Sequence, residues 1–534
     1  MNQTLKILMA VSFLLALAIL AETSPEVERA QDASDKQGLA KASAKAGAPS
    51  AAHIERIENG IEPVEVGKNE PPLALDIEKL MKVYNVTGMS VAAIDDYKIA
   101  WTKTYGVTEP GGTTLVTPKT LFQAGSISKP VAATGMLALV QQGKLSLDED
   151  VNQKLKTWKV PENEFTKDKK VTLRRLASHS AGLTVHGFPG YDVDETIPTL
   201  VQIFNGEKPA NTAPIRVDFI PGSDERYSGG GITIEQQLMM DVSGQQFPAL
   251  MKESVLDKLG MSDSSYEQPQ PAARAALTAG GTYGSGKPVH GKWHVYPEMA
   301  AAGLWTTPTD LAKFAIEIAL SRNGKSNKVL SQKTTEEMLT IQSKNFGIGF
   351  AVSKEHSGEF GHDGADEGFQ ALLLMNYATG QGAAIMANSD NGILVAEEYL
   401  RSLAREYTWK FQPDPRSAYM KLRMIDKLRG IDSMLANYDA MKASADPNNR
   451  PQERLLNELG YADLYGGKPE DGIKIFQKNA QEFPESSNVY DSLGEAYAVA
   501  GKKDLAIENY QKSIKLDPKN QNGIDRLKKL KGEQ

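Results

Sequence analysis

Four short segments of this chain read as strands: Met89–Ile94, Ile99–Tyr105, Gln370–Met375 and Gly382–Asn388. They carry apolar runs or apolar residues at alternate positions, and turn residues bound them. Two lie near one end of a long segment and two near the other. The stretch between is mostly helical, with a buried helix over Val131–Val140 and another over Thr233–Val242. The apolar periodicity of Leu394–Tyr407 predicts a closing helix. The pattern therefore predicts an α+β fold: one antiparallel sheet built from both ends of the segment, flanked by helices, with a helical subdomain inserted. A functional site between the two parts is expected.

Beyond Phe411-Gln412-Pro413-Asp414-Pro415 the patterning becomes purely helical and repeats. Leu459-Gly460 recurs 34 residues later at Leu493-Gly494, Gly467 at Gly501, Ile473 at Ile507, Phe476 at Tyr510 and Pro484 at Pro518. This period and these residue types resemble tetratricopeptide repeats. Two positions depart from it, Asp463 against Tyr497 and Gly472 against Ala506. Met420–Pro447 reads as a degenerate earlier unit and Asn522–Lys531 as a capping helix, which matters because such arrays need about three units to bury a continuous core. The resemblance implies a C-terminal all-α repeat domain that binds a protein partner or packs on the rest of the chain as a lid.

At the other end, Lys6 precedes the apolar run Ile7–Ala21, the length of a signal-peptide core, with cleavage expected near Ala21. Retention as a membrane anchor is the alternative. The expected location is therefore periplasmic or secreted. Residues 22–60 are rich in Ala, Ser, Glu and Lys, with some helical tendency over Val27–Ala40 but no stripe to bury, and read as a flexible spacer. The expected organisation is a signal peptide at 1–21, a linker at 22–69, the α+β domain at 70–408, a helical linker or degenerate repeat at 409–450 and repeats at 451–534.

Composition narrows the chemistry. The 534 residues include 60 basic and 67 acidic side chains, a net charge of −7, which argues against nucleic-acid binding. There are no cysteines, so disulfides, thiolate nucleophiles and cysteine metal sites are excluded. His186, His290 and His294 show no metal-ligand spacing. No metal and no cofactor are expected.

The candidate chemistry centres on Ser126-Ile127-Ser128-Lys129, at the start of the Val131–Val140 helix. Residues three apart share a helix face, so the Lys129 amine meets the Ser126 hydroxyl. A serine alcohol needs a neighbour to take its proton, and a desolvated lysine can do so. The helix N-terminus offers free N–H donors to an oxyanion. Downstream, Pro221-Gly222 and the run Tyr227-Ser228-Gly229-Gly230-Gly231 form a bend that can project the Tyr227 phenol into a cleft. Further on, Phe360-Gly361-His362-Asp363-Gly364-Ala365 precedes the apolar run Ala371–Met375. Gly364 permits close backbone approach, and an edge strand there offers the Ala365 N–H alongside that of Ser126.

These elements, in this order, resemble the serine β-lactamase and penicillin-binding-protein superfamily, in its branch of class C β-lactamases, DD-peptidases, D-aminopeptidases and esterases. Thr87–Ile94, Gly143–Val151, Leu173–Leu183, Ala302–Ala312 and Phe346–Phe350 extend the similarity, with Phe346–Phe350 matching the strand before the last motif. The resemblance implies Ser126 as acylated nucleophile, Lys129 as its base, Tyr227 in the proton relay and His362 orienting the relay and binding an anionic substrate group. It implies an oxyanion hole of the Ser126 and Ala365 N–H groups, with Gly229 and Gly364 lining the substrate site. One departure matters: Gly229 stands where β-lactamases carry an asparagine that contacts acylamido substrates. His362 is also a weaker cation than lysine. His179 reads as a brace for the loop around Leu176 and Leu183.

The function expected is an exported serine hydrolase acting on ester or amide substrates (peptide, D-amino-acid or lactam-like), the substrate being a small molecule or peptide. A β-lactamase proper is one alternative. A non-catalytic protein that binds peptidoglycan fragments, with output through the repeats, is the other.

Overall fold

The computed structural model describes residues 51–66, 71–410, 413, 415–444 and 451–532. The expected signal peptide, the Val27–Ala40 tendency and residues 22–50 and 67–69 of the expected linker lie outside the described residues. So do 411, 412 and 414 of the expected break. Among the described residues no helix is long and apolar enough to cross a membrane.

Eight strands form: β1 (Gly88–Asp95), β2 (Lys98–Gly106), β3 (Phe122–Gln123), β4 (Trp305–Thr306), β5 (Ala351–Val352), β6 (Glu359–Asp366), β7 (Phe369–Asn376) and β8 (Gln381–Ala387). Six of them make one antiparallel sheet in the order β2-β1-β8-β7-β6-β5, while β3 and β4 pair separately. The β1–β2 hairpin turns on Asp96 and Tyr97, both at positive φ (48° and 58°), the hand that suits strand twist. β1 and β8 pair from Met89↔Ala387 to Ile94↔Gly382, so the two ends of the α+β segment meet inside the sheet.

Both faces of the sheet are covered, which is why β1 is buried along nearly its whole length. Side chains alternate between two cores. Ala92, Ile94, Leu373 and Met386 enter one core, shared with the helices Ser128–Gln141, Gly229–Ser243 and Pro308–Arg322. Val91, Ala93, Leu372 and Ile385 enter the other, shared with the helix Gly392–Glu406.

That second core does not stop at the sheet. It continues through Met420, Leu422, Met434 and Tyr438 to Leu456, Leu459 and Ile475. The described part of 409–450, expected as a helical linker or degenerate repeat, is packed into this core. It is a helix pair, Ala418–Arg429 and Ile431–Ser444, sharing a core with the Gly392–Glu406 helix and the first repeat hairpin. The expected spacer is corrected over 51–66. Ala51–Asn59 is a helix that packs on Gly392–Glu406, with Ile57 fully buried, and Val64 bridges to Leu73. Ile54, Ile57 and Ile61 supply a short apolar stripe spaced by helical turns.

The repeats form hairpins of Glu453–Tyr465 with Pro469–Glu482 and Ser487–Val499 with Lys503–Leu516, followed by Gln521–Lys531. The repeated Leu-Gly and aromatic positions are one contact. A Cβ on Gly460 would lie 2.7 Å from the Phe476 ring, and one on Gly494 would lie 3.1 Å from the Tyr510 ring. The helices cross where glycine lets them approach.

Candidate active site

Ser126 sits in a 3₁₀ turn, Gly125–Ile127, that runs straight into the Ser128–Gln141 helix. Gly125 has φ +51°, and a Cβ there would overlap the Ala365 backbone nitrogen. On the other side, a Cβ at Gly364 would overlap the Ala124 carbonyl oxygen and lie 3.3 Å from the Ser126 nitrogen. Two glycines thus press the Ser126 turn onto β6. β5 pairs with β6 only at Phe360 and Gly361, so His362–Asp366 lies beyond its reach. His362 lies within β6, ahead of the buried strand β7 as expected. The expected Phe346–Phe350 strand is a bend: Phe346 bridges to Ala351, and the regular pairing begins there.

Lys129 is 3% exposed. Its Nζ lies 2.7 Å from Ser126 Oγ and donates to the Ala301 carbonyl at 2.7 Å. Burial lowers its pKa to about 7. Asp366 opposes that drop, but burial holds the Asp366 carboxyl itself well above its ordinary range. Burial thus shifts this lysine toward its neutral form, next to the hydroxyl it must deprotonate.

The Lys129 amine also lies 5.0 Å from the Tyr227 ring centre. The Tyr227 hydroxyl is buried, and the Ser126 hydroxyl is its neighbour. Burial pushes its pKa up, and the neighbouring Ser126 hydroxyl acts against this. His362 faces the same ring at 6.1 Å and its Nδ1 lies 2.6 Å from the Asp363 carbonyl oxygen. Burial and Lys129 lower the His362 pKa to about 3. The imidazole is therefore neutral, and the anion-binding cation that the resemblance implied is not what this His362 offers at neutral pH. Ser126, Lys129, Tyr227 and His362 share one crevice.

Gly229 opens the Gly229–Ser243 helix, four residues before the expected start at Thr233. Its N–H donates to the His186 carbonyl at 2.8 Å, and Gly230 donates to Val185 at 3.0 Å. A Cβ at Gly229 would lie 3.1 Å from both the His186 oxygen and the Phe188 ring, and one at Gly230 would lie 2.9 Å from the Thr184 oxygen. The three glycines let the Leu183–Phe188 loop run flush along the helix start, and His186-Gly187-Phe188 fills the space beside position 229.

Sequence reasoning missed His186 as a member of the crevice. Its ring lies 4.8 Å from Tyr227, its Nε2 is buried without a partner, and burial with Lys129 lowers its pKa to about 4. No local motif marks it; only the glycine run against which its loop packs is visible in the chain. His290 lies elsewhere, in exposed ion pairs with Asp192 (2.8 Å) and Asp194 (3.6 Å).

The family model described as Beta-lactamase matches residues 73–406, and the chain belongs to the β-lactamase and penicillin-binding-protein family. A second model, Tetratricopeptide repeat, matches residues 487–520. Among relatives, a β-lactamase of Pseudomonas fluorescens is 28% identical over 282 residues, 52% of this chain and 72% of the relative. An unguisins hydrolase of Aspergillus violaceofuscus is 24% identical over 358 residues, 59% of this chain and 60% of the relative. The chain thus spans about three fifths of that hydrolase. The fold matches an octameric penicillin-binding protein homologue from Pyrococcus abyssi with a TM-score of 0.55 at 22% identity, covering 66% of this chain and 80% of that one.

Proposed function

We propose that the protein is an exported serine hydrolase that works through a Ser126 acyl-enzyme on ester or amide substrates, with peptide, D-amino-acid-like and simple ester acyl groups ranked above β-lactams. The observation that carries this reading is the 2.7 Å approach of a buried lysine, with its pKa near 7, to the hydroxyl at a helix start. In the first step Ser126 Oγ attacks the carbonyl carbon while its proton passes to neutral Lys129. The oxyanion takes N–H bonds from Ser126 and Ala365. Collapse breaks the bond to the leaving group, which recovers the proton from Lys129 by way of the Tyr227 phenol. Water then adds to the acyl-enzyme along the same relay, releasing the acid and free Ser126. None of these steps calls for a metal or cofactor.

Gly229, with Phe188 and His186 filling the space beside it, supports the lower ranking of β-lactams, because no asparagine amide is available for an acylamido group. The repeats supply a surface for a protein partner.

The test is to incubate the protein with a fluorescent fluorophosphonate and a fluorescent penicillin. Fluorophosphonate labelling at Ser126, located by intact and peptide mass and lost in Ser126→Ala, is the expected result. A folded protein that takes neither label sinks the enzymatic reading and leaves a binding protein. Faster turnover of nitrocefin than of p-nitrophenyl esters would reverse the substrate ranking.

A further inference from the structure

His179 belongs to neither the nucleophile–lysine pair nor the β6 motif, yet three of its contacts converge on Tyr227. Its carbonyl oxygen accepts the Arg226 N–H at 2.8 Å. Its Nδ1 accepts the Ser228 N–H at 3.2 Å. Between these two anchors its ring lies against the Tyr227 ring, with centres 4.1 Å apart and planes inclined at 36°. The residue before Tyr227 and the residue after it are thus held by one histidine, which also covers the phenol ring.

The cost of this arrangement is visible in the backbone. His179 has φ +58°, a conformation that non-glycine residues seldom adopt and that persists where surroundings enforce it. Its Nε2 is buried without a partner, and Phe346 meets the ring edge-on at 4.8 Å. Accepting the Ser228 N–H requires an unprotonated Nδ1, so the neutral ring carries its proton on Nε2. Burial, with Lys129, His362 and His186 nearby, keeps the ring in that neutral form.

We propose that His179 is the positioning residue for Tyr227: by gripping the backbone on both sides of it and stacking on its ring, His179 aims the phenol at the Ser126–Lys129 pair. This rests on the acyl-enzyme reading above, in which Tyr227 relays the proton. His179 itself touches no reacting atom. A loop brace, by contrast, would affect folding and leave the chemistry of the folded protein alone.

Saturable labelling by a fluorophosphonate separates the maximal rate from the half-saturating concentration, and four full-length variants decide the matter. His179→Ala removes ring and acceptor and is expected to lower the maximal rate roughly 10- to 100-fold, the effect of displacing a catalytic group by about 1 Å, with little change in half-saturation. His179→Asn keeps an acceptor oxygen for the Ser228 N–H and tolerates positive φ, and is expected to recover the rate to within about threefold of wild type. Tyr227→Phe lowers the rate by removing the phenol. In the double variant His179→Ala/Tyr227→Phe, no further loss beyond Tyr227→Phe is expected, because a residue that acts through the phenol has nothing left to position. Multiplicative losses in the double variant, or a folded His179→Ala with the wild-type rate, overturn the proposal. If His179→Ala does not fold, the Asn variant decides alone: a rate more than about tenfold below wild type counts against the proposal. Wild-type protein that takes no label fails the acyl-enzyme reading first and this inference with it, whereas labelled wild type with additive losses fails this inference only.

Discussion

The two faces of the sheet bury ionisable groups in opposite ways. On the crevice side several polar atoms stand without partners: the Nε2 atoms of His179, His186 and His362, and both carboxylate oxygens of Glu235 and Glu298. On the back face, among the described residues, Glu398, Arg401, Arg416, Arg423, Asp426 and Asp463 meet opposite charges. Glu398 accepts from Arg416 through both oxygens at 2.7 Å and from Arg401 at 2.7 Å. Arg423 pairs with Asp426 at 3.2 Å and with Asp463 of the first repeat. Desolvation without compensation shifts a group toward its neutral form and weakens the fold, while compensated burial leaves the charge in place. The crevice face thus sacrifices stability to bring a lysine's titration down to about 7 and to keep three imidazoles neutral there. The back face does the holding, and its ion pairs join the hydrolase to the repeats.

The sharpest way to break this contrast is at Lys129. Replacing it with methionine keeps the packing and removes the base, and should slow fluorophosphonate labelling by about 10²- to 10⁴-fold. In the wild type the labelling rate should rise with pH through about 7, as the lysine loses its proton, and then level off. His362 at about 3 and His186 at about 4 add no limb between pH 5 and 8. A rate independent of pH across 6–8 would mean that the buried amine is not the base. Gly364→Ala tests the same face through the backbone. Its Cβ cannot coexist with the Ala124 carbonyl, so the Ser126 turn must leave β6. A loss of labelling of about 100-fold is expected from a shift of that size, and labelling at the wild-type rate would show that the close approach is unnecessary.

On the back face, Arg416→Ala leaves Glu398 with Arg401 alone and also removes the bond to the Glu62 carbonyl at 2.9 Å. A broken buried pair costs about 3 kcal/mol. Burial pushes the Glu398 pKa up, but Arg416 and Arg401 hold it below its ordinary value. The stability from this pairing is therefore present above the ordinary carboxyl range and fades as pH falls through the lowered value. Urea unfolding at pH 7 should show the loss. An unchanged midpoint would make the junction a loose contact. If the repeats unfold in a separate transition in the wild type, the shared core is not cooperative.

How much of this was legible depended on range. Ser126 and Lys129 lie one helical turn apart, so spacing alone brings them together. The β1–β8 pairing was legible too, because both segments are apolar runs that need two covered faces. Tyr227 and His362 reached the site through resemblance, since nothing local says where a bend or strand will be delivered. His186 and the grip of His179 arise from packing along the Gly229–Gly231 helix start, which single-sequence patterning does not encode. The Ile54, Ile57 and Ile61 stripe was present in the sequence, but the surrounding alanine and charge made it read as spacer. The helices after Ser417 bury their apolar face in a core shared with the Gly392–Glu406 helix and the first repeat, and a repeat period cannot announce that.

A pH slope tests the unpartnered face directly. Glu235 lies on the Gly229–Ser243 helix, fully buried, with neither oxygen bonded, and burial alone raises its pKa to about 8. Between pH 4.5 and about 8 the unfolded chain has released this proton and the folded chain still holds it. The folded state binds more protons there, so this group makes stability fall as pH rises across that window. Glu235→Gln is isosteric and never ionises, so its stability should not carry that slope. The variant should gain on the wild type from pH 5 upward, by on the order of 4 kcal/mol at pH 8.5, where the wild type must either keep an unfavourable proton or bury a bare charge. Urea midpoints measured for both proteins across that range decide it. Parallel curves would mean that Glu235 has a partner in solution, and that the crevice face is better compensated than its unpartnered atoms imply.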